Sequence, residues 1–220
     1  MIAKSAGESI SGTSVKRVFA KLGAHGAGAE AFLVVAFLIM AVLIAVVATG
    51  QVMAMRSEEA EGRLDNLLVR PLSRFAWLGQ RLLVAAAILL MSGLVAGCFA
   101  WLGTATQATG VTFPTLITAG LSIVPPAIFV LGVGALSMGV WPRATTVIVY
   151  SAVGWSLLVE LVGGIGALSP WLLDTSLFHQ MAAAPAAAPN WLASGVMLGI
   201  GVAAGLFGDY RFSRRDLASD

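Results

Sequence analysis

Five stretches of this chain run for 17 residues or more and between them carry a single charged side chain, Glu160. They are Ala31 to Met55, Leu82 to Thr104, Phe113 to Val140, Ala144 to Ala167, and Trp191 to Phe207. About 20 apolar residues in a helix cross the hydrocarbon core of a bilayer, and inside lipid every backbone polar group must be satisfied within its own segment. The expected fold is therefore all-α, a polytopic transmembrane helical bundle with five spans in this chain. Composition agrees: 11% of the 220 residues are charged and 58% are hydrophobic, against roughly 25% charged in an ordinary soluble domain. The first apolar run begins only at residue 31 and is too long for a cleaved signal sequence. The lone cysteine, Cys98, lies mid-span and has no intrachain partner.

The charges fall between the spans. Arginines 56, 63, 70, 74 and 81 lie between the first two, Arg143 in a short Trp-Pro-Arg turn, and Arg211, Arg214 and Arg215 near the C-terminus. Threading five spans puts these three segments on one side, and the opposite loops, Ala105 to Thr112 and Leu168 to Asn190, contain no Lys or Arg. The bias of positive charge toward the cytoplasm then places the C-terminus inside and the N-terminus of this chain outside. Residues 1–30 form a tail with Lys4, Lys16, Arg17 and Lys21, in which Val15, Val18, Phe19 and Leu22 share one helical face. A short interfacial helix and a solvated arm are both open for it. Its basic charge fits an outside location poorly: either a further helix precedes Met1, which is the favoured expectation, or the stronger cytoplasmic bias downstream decides the topology.

The segment from Arg56 to Arg81 holds nine charged side chains between two charge-free runs. Each would cost about 2.5 to 3.5 kcal/mol at the bilayer centre, so the segment belongs in water. Ser57 is suited to cap a short helix opening with Glu58 and Glu59. Leu64, Leu67 and Leu68 follow at helical spacing, and Pro71 stops the turn. Ser73 and Arg74 then begin the next helix, with Phe75 and Trp77 where aromatic residues anchor a span. A leucine stripe backed by charges is suited to docking on a soluble partner; a polar loop with weak local ion pairs is the plainer alternative.

Three further features stand out. Glu160, deep in a span, is a candidate for the substrate path, since intramembrane carboxylates usually face the bundle interior; pairing in an interface is its other reading. Pro125 and Pro126 break the third stretch and would suit a moving gate. Glycine pairs at 93/97, 195/199 and 201/205 permit close helix approach. In the outer segment, Trp171 to Phe178 suggests an interfacial helix, and His179 reads as an exposed polar residue. Glu58 to Arg63 also fits the EExxxR pattern of intramembrane metalloproteases, but His25 and His179 fall on the opposite side in this topology, so no metal ligand set is expected.

The residues SEEAEGRLDNLLVRPLSRFAWLGQRLL, from Ser57 to Leu83, resemble the cytoplasmic signature of ABC-2 type permeases, the membrane subunits of ATP-binding-cassette exporters. SPWLLDTSLFHQMAAAPAAAPNW, from Ser169 to Trp191, and FSRRDL, from Phe212 to Leu217, are similar to the C-terminal half of actinobacterial permeases for polyketide antibiotics or multiple drugs. The resemblance implies a six-span half lacking its first span, with residues 31–220 as the membrane domain. Within that domain, residues 56–81 would be the coupling segment and residues 168–190 the outer one.

It also implies that Glu58, Glu59, Gly62, Arg63, Leu64, Leu67, Leu68, Arg70, Pro71 and Arg74 meet an ABC ATP-binding subunit. A second permease half, as homo- or heterodimer, would complete the path for a lipophilic small-molecule substrate across the cytoplasmic membrane. The chain has no GxxxxGK[ST] loop, so ATP chemistry is expected in the partner and not here. No cofactor, metal or nucleic acid is expected to bind. The alternative is a non-transporting scaffold or remnant with the same fold.

Overall fold

The computed structural model describes residues 28–60, 74–105, 111–165, 169–181 and 187–214. They form seven α-helices: α1 Gly28–Ala60, α2 Arg74–Thr104, α3 Phe113–Ser122, α4 Val124–Val140, α5 Thr145–Ile165, α6 Pro170–Leu173 and α7 Trp191–Arg214, with a 3-10 turn at Pro142–Ala144 between α4 and α5. Five helical stretches are long and apolar enough to cross a membrane, α3 and α4 together making one of them. The chain is thus an all-α polytopic bundle, as the sequence implies. The spans begin and end within about five residues of the stretches that hydropathy marks, except that α2 opens earlier, at Arg74, and α7 runs on to Arg214.

The α3–α4 span occupies the centre. Its chain breaks at Ile123, and Pro125 and Pro126 fall in the first turn of α4, where a missing N–H costs no helical hydrogen bond. Both prolines are buried. The interior is built by close approach of helices, because lipid gives no hydrophobic drive for one apolar helix to seek another. α7 makes its most extensive contact with α4. There Gly132 faces the Gly201 carbonyl, Gly139 faces the Gly208 carbonyl, and a Cβ on Gly208 would lie 2.5 Å from the Ala135 backbone. A similar seam joins α2 to α3, where a Cβ on Gly97 would lie 2.7 Å from the Leu116 carbonyl and one on Gly93 2.6 Å from that of Gly120. Two of the three glycine pairs marked in the sequence therefore serve packing within the chain. Gly195 and Gly199 have nothing within 4 Å of an added Cβ.

The outward faces suit lipid: Leu83, Val84, Met91 and Phe99 on α2, and Leu192, Val196 and Leu206 on α7, are all more than half or nearly half exposed. Trp141, Trp171 and Trp191 lie exposed at or beside helix ends, where amphipathic rings sit at a membrane boundary. Trp77 departs from that expectation. It is buried and stacks on Phe212 of α7 with ring centroids 6.0 Å apart, because its turn of α2 faces the end of α7 and only Phe75 points outward.

Candidate functional site

Residues 61–73 lie outside the described residues, so Gly62, Arg63, Leu64, Leu67, Leu68, Arg70 and Pro71 cannot be placed. Their flanks can. α1 continues without interruption through Ser57, Glu58 and Glu59 to Ala60. Ser57 does not cap a new helix: its hydroxyl bonds back to the Ala54 carbonyl at 2.9 Å, a contact a serine makes inside a helix. Arg74 opens α2.

Two contacts tie these flanks to the bundle, beside an ion pair within α1. Arg56 pairs with Glu59 at 3.3 Å, and its Nε donates to the Pro142 carbonyl at 3.2 Å, joining the end of α1 to the turn between α4 and α5. Glu58 pairs with Arg81, joining α1 to α2. With Trp77 on Phe212 and Gly139 beside Arg211, one end of the bundle gathers arginines 56, 81, 143 and 211. Glu58 and Glu59 are thus engaged by arginines, and among the described residues no three His, Cys, Asp or Glu side chains come together in a metal-binding group.

The opposite end is closed by residues 169–181. The expected interfacial helix is shorter than the apolar pattern suggests: one turn, Pro170–Leu173, followed by turns. Serine and threonine hydroxyls take over the backbone there, which is why the helix stops. Thr175 Oγ1 donates to the Leu172 carbonyl at 2.6 Å and accepts from Trp155 Nε1 at 3.0 Å. Ser176, buried, donates to the Ser156 carbonyl at 3.1 Å and accepts from the N–H groups of Phe178 and His179 at 3.2 and 3.3 Å. Ser156 in turn accepts from the Leu177 N–H at 3.2 Å. Glu160 sits beneath this segment, half-buried, with the Ser176 hydroxyl 3.4 Å from its Oε2 and exposed His179 within electrostatic reach.

Between α2, α4 and α7, toward the arginine-rich end, lies a cavity of about 310 Å³, open on one side. Its walls are Phe75, Leu82 and Leu83 of α2, Leu131 of α4, and Val202 and Leu206 of α7, with Asp209 as the charged group. Asp209 is 2% exposed, and its Oδ1 has no hydrogen-bond partner among the described residues. Sequence reading missed this residue by ending the last span at Phe207. The signal was present: Gly201, Gly205 and Asp209 recur at four-residue intervals, so the face that packs on α4 carries the carboxylate inward with it.

A bundle of five membrane-length helices, joined at one end by arginine contacts and capped at the other by a short segment, with a carbon-lined cavity between α2, α4 and α7 that opens beside the outward-facing Leu83 and Leu206, is the build of a multi-pass membrane protein. The chain matches the family described as multidrug efflux system permease Rv1217c, C-terminal domain, over residues 1–213, and belongs to that family. It is also 28% identical over 177 residues to the multidrug efflux system permease protein Rv1217c of Mycobacterium tuberculosis (strain ATCC 25618 / H37Rv), an alignment covering 77% of this chain and 31% of that protein. The chain thus spans about a third of the length of that relative.

Proposed function

We propose that the chain is the membrane permease part of an ATP-binding-cassette exporter that moves hydrophobic or amphipathic, drug-like compounds outward across the cytoplasmic membrane. A separate ATPase subunit supplies the power, and a second permease half, identical or different, completes the pathway. The arginine-rich end faces the cytoplasm and the capped end, residues 169–181, faces outward, in keeping with the positive-inside bias. The relative's description as a multidrug efflux permease and the family match support the reading.

The observation that carries it is the cross-linking of the flanks of residues 61–73. The Glu58–Arg81 pair and the hydrogen bond from Arg56 to Pro142 connect α1, α2 and the α4–α5 turn at one point. A force applied to the segment between α1 and α2 would reach three spans through those contacts. Leu64, Leu67, Leu68 and Arg70 supply the contact with the ATPase, Gly62 and Pro71 turn the chain, and Arg63 and Arg74 pair with acidic groups on the partner. Glu160, with Pro125 and Pro126, belongs to the gating of the substrate path.

Co-purification tests this. The chain is expressed with its genomic neighbours, solubilised and pulled down, and the eluate is probed for an ATP-binding-cassette subunit. Recovery of an ATPase that is lost when Leu64, Leu67 and Leu68 are replaced by Ser is the expected result; a chain that elutes alone points to the non-transporting alternative.

A further inference from the structure

Asp209 is buried where a carboxylate is poorly tolerated. Oδ1 has no hydrogen-bond partner among the described residues, and the residue lies toward the C-terminal end of α7, the negative end of the helix dipole. Three arginines of this end are engaged elsewhere: Arg81 with Glu58, Arg56 with Glu59, and Arg214 over the ring of Tyr210 at 4.5 Å. A buried charge without a partner is costly, and ionisable groups inside membrane bundles face the interior or a cavity, where they pair with one another or with backbone carbonyls or mark the path of an ion or substrate.

Asp209 borders the cavity, and the rest of the lining is almost wholly carbon. Two glycines keep it open. A Cβ at Gly79 would stand 3.2 Å from Asp209 Oδ2, and one at Gly205 would meet nothing nearer than the Gly132 Cα at 3.8 Å. At about 310 Å³, the chamber is of the size that takes a small organic ligand. A neutral hydrophobe would leave the carboxylate unpaired, and an anion would be repelled by it. A bulky apolar body with one positive charge satisfies both the walls and the acid.

We infer that the chamber between α2, α4 and α7 binds a lipophilic organic monocation, with its charged centre against Asp209. A role for that ligand as export cargo rests on the exporter reading; the binding site does not. The same chemistry is offered by a drug-like cation and by the ammonium headgroup of an aminophospholipid.

The test uses the full chain purified in dodecyl maltoside, with radiolabelled tetraphenylphosphonium as probe and tetraphenylborate, equal in shape and opposite in charge, as control. The phosphonium is expected to bind saturably and the borate at least about tenfold more weakly, a difference of one charge pairing in an apolar site. Asp209→Asn should weaken phosphonium binding by about tenfold or more while leaving the borate no worse. Gly205→Leu, whose side chain fills the chamber, should weaken phosphonium binding without removing the carboxylate. Each variant is compared only as a monodisperse species on size exclusion. Equal binding of the two ions, or native phosphonium affinity in Asp209→Asn, overturns the site, and so does native affinity in Gly205→Leu should the Asp209 variant fail to fold. Added phosphatidylethanolamine that displaces the probe, where phosphatidylglycerol does not, identifies a lipid as the occupant; no displacement identifies a soluble cation, and both support the site. No ATPase is present, so an ATPase that co-purifies with a chain unable to bind the phosphonium leaves the exporter reading standing and removes this site alone.

Discussion

The two ends of the bundle treat an intramembrane carboxylate in opposite ways. At the capped end, Glu160 has the Ser176 hydroxyl at 3.4 Å and lies under a segment pinned by Ser156 and Ser176. At the arginine-rich end, Asp209 is more deeply buried, yet its Oδ1 has no hydrogen-bond partner among the described residues, and the residue borders a cavity. Polar atoms removed from solvent are normally satisfied, and those left over mark places where the fold alone does not explain the residue. Glu160 is part of how one end is closed. Asp209 is held ready at the other.

The contrast depends on α7 being fixed against α4, and breaking that seam should have the largest effect. Gly132→Leu drives a side chain into the Gly201 carbonyl, which is backbone and cannot move aside as a side chain would. Overpacking of this kind typically costs about 1–3 kcal/mol, and more where backbone must separate. The variant should elute as aggregate on size exclusion in detergent. Gly195→Leu, with nothing within 4 Å of its added Cβ, should elute as the native chain does. If Gly132→Leu folds normally, the position of Asp209 is not set by the α4–α7 contact.

Next come substitutions that act on each carboxylate's surroundings. Ser176→Ala removes the donor to the Ser156 carbonyl and the acceptor for the Phe178 and His179 N–H groups. Leaving such groups unpaired costs about 1–3 kcal/mol, so thermal unfolding should fall by several degrees. Asp209→Asn should move the other way, raising stability by on the order of 1 kcal/mol because it deletes a buried charge whose Oδ1 has no hydrogen-bond partner among the described residues. A melt in which Ser176→Ala is silent, or in which Asp209→Asn destabilises as a lost ion pair would, erases the difference between the two ends.

Much of the architecture was legible because membrane spans obey one rule, a long run without charge, that needs no tertiary information. The break between α3 and α4 could be read too, since Pro125-Pro126 can sit only at a helix start or a kink. What failed depended on contacts between distant segments. Ser57 has the chemistry of a cap, but α1 had enough helix-compatible sequence to run past it, and the hydroxyl bonds to Ala54 instead. Trp77 has the spacing of an interface anchor, and only the approach of Phe212 buries it. Asp209 looked like the first charge after a span, because hydropathy windows register composition and not which face a residue occupies. Reading the glycine register through it would have placed it inside.

The smallest effect on stability is expected at the Glu58–Arg81 pair, and it is the most informative about the arginine-rich end. The Arg81 side chain is 47% exposed, and exposed ion pairs contribute about 0–1 kcal/mol. Arg81→Ala should therefore barely move the melting temperature. If the pair transmits force from residues 61–73 into α1 and α2, the same substitution should sharply reduce dye efflux from cells expressing the chain with its neighbouring subunits, and the double exchange Glu58→Arg with Arg81→Glu should restore part of it. Such recovery requires the pair and not either charge alone, because in the exchanged chain each residue has the opposite sign. Unchanged efflux in Arg81→Ala would reduce the contact to a surface ion pair, and would shift attention to Arg56, whose bond to the Pro142 carbonyl ties the end of α1 to the α4–α5 turn.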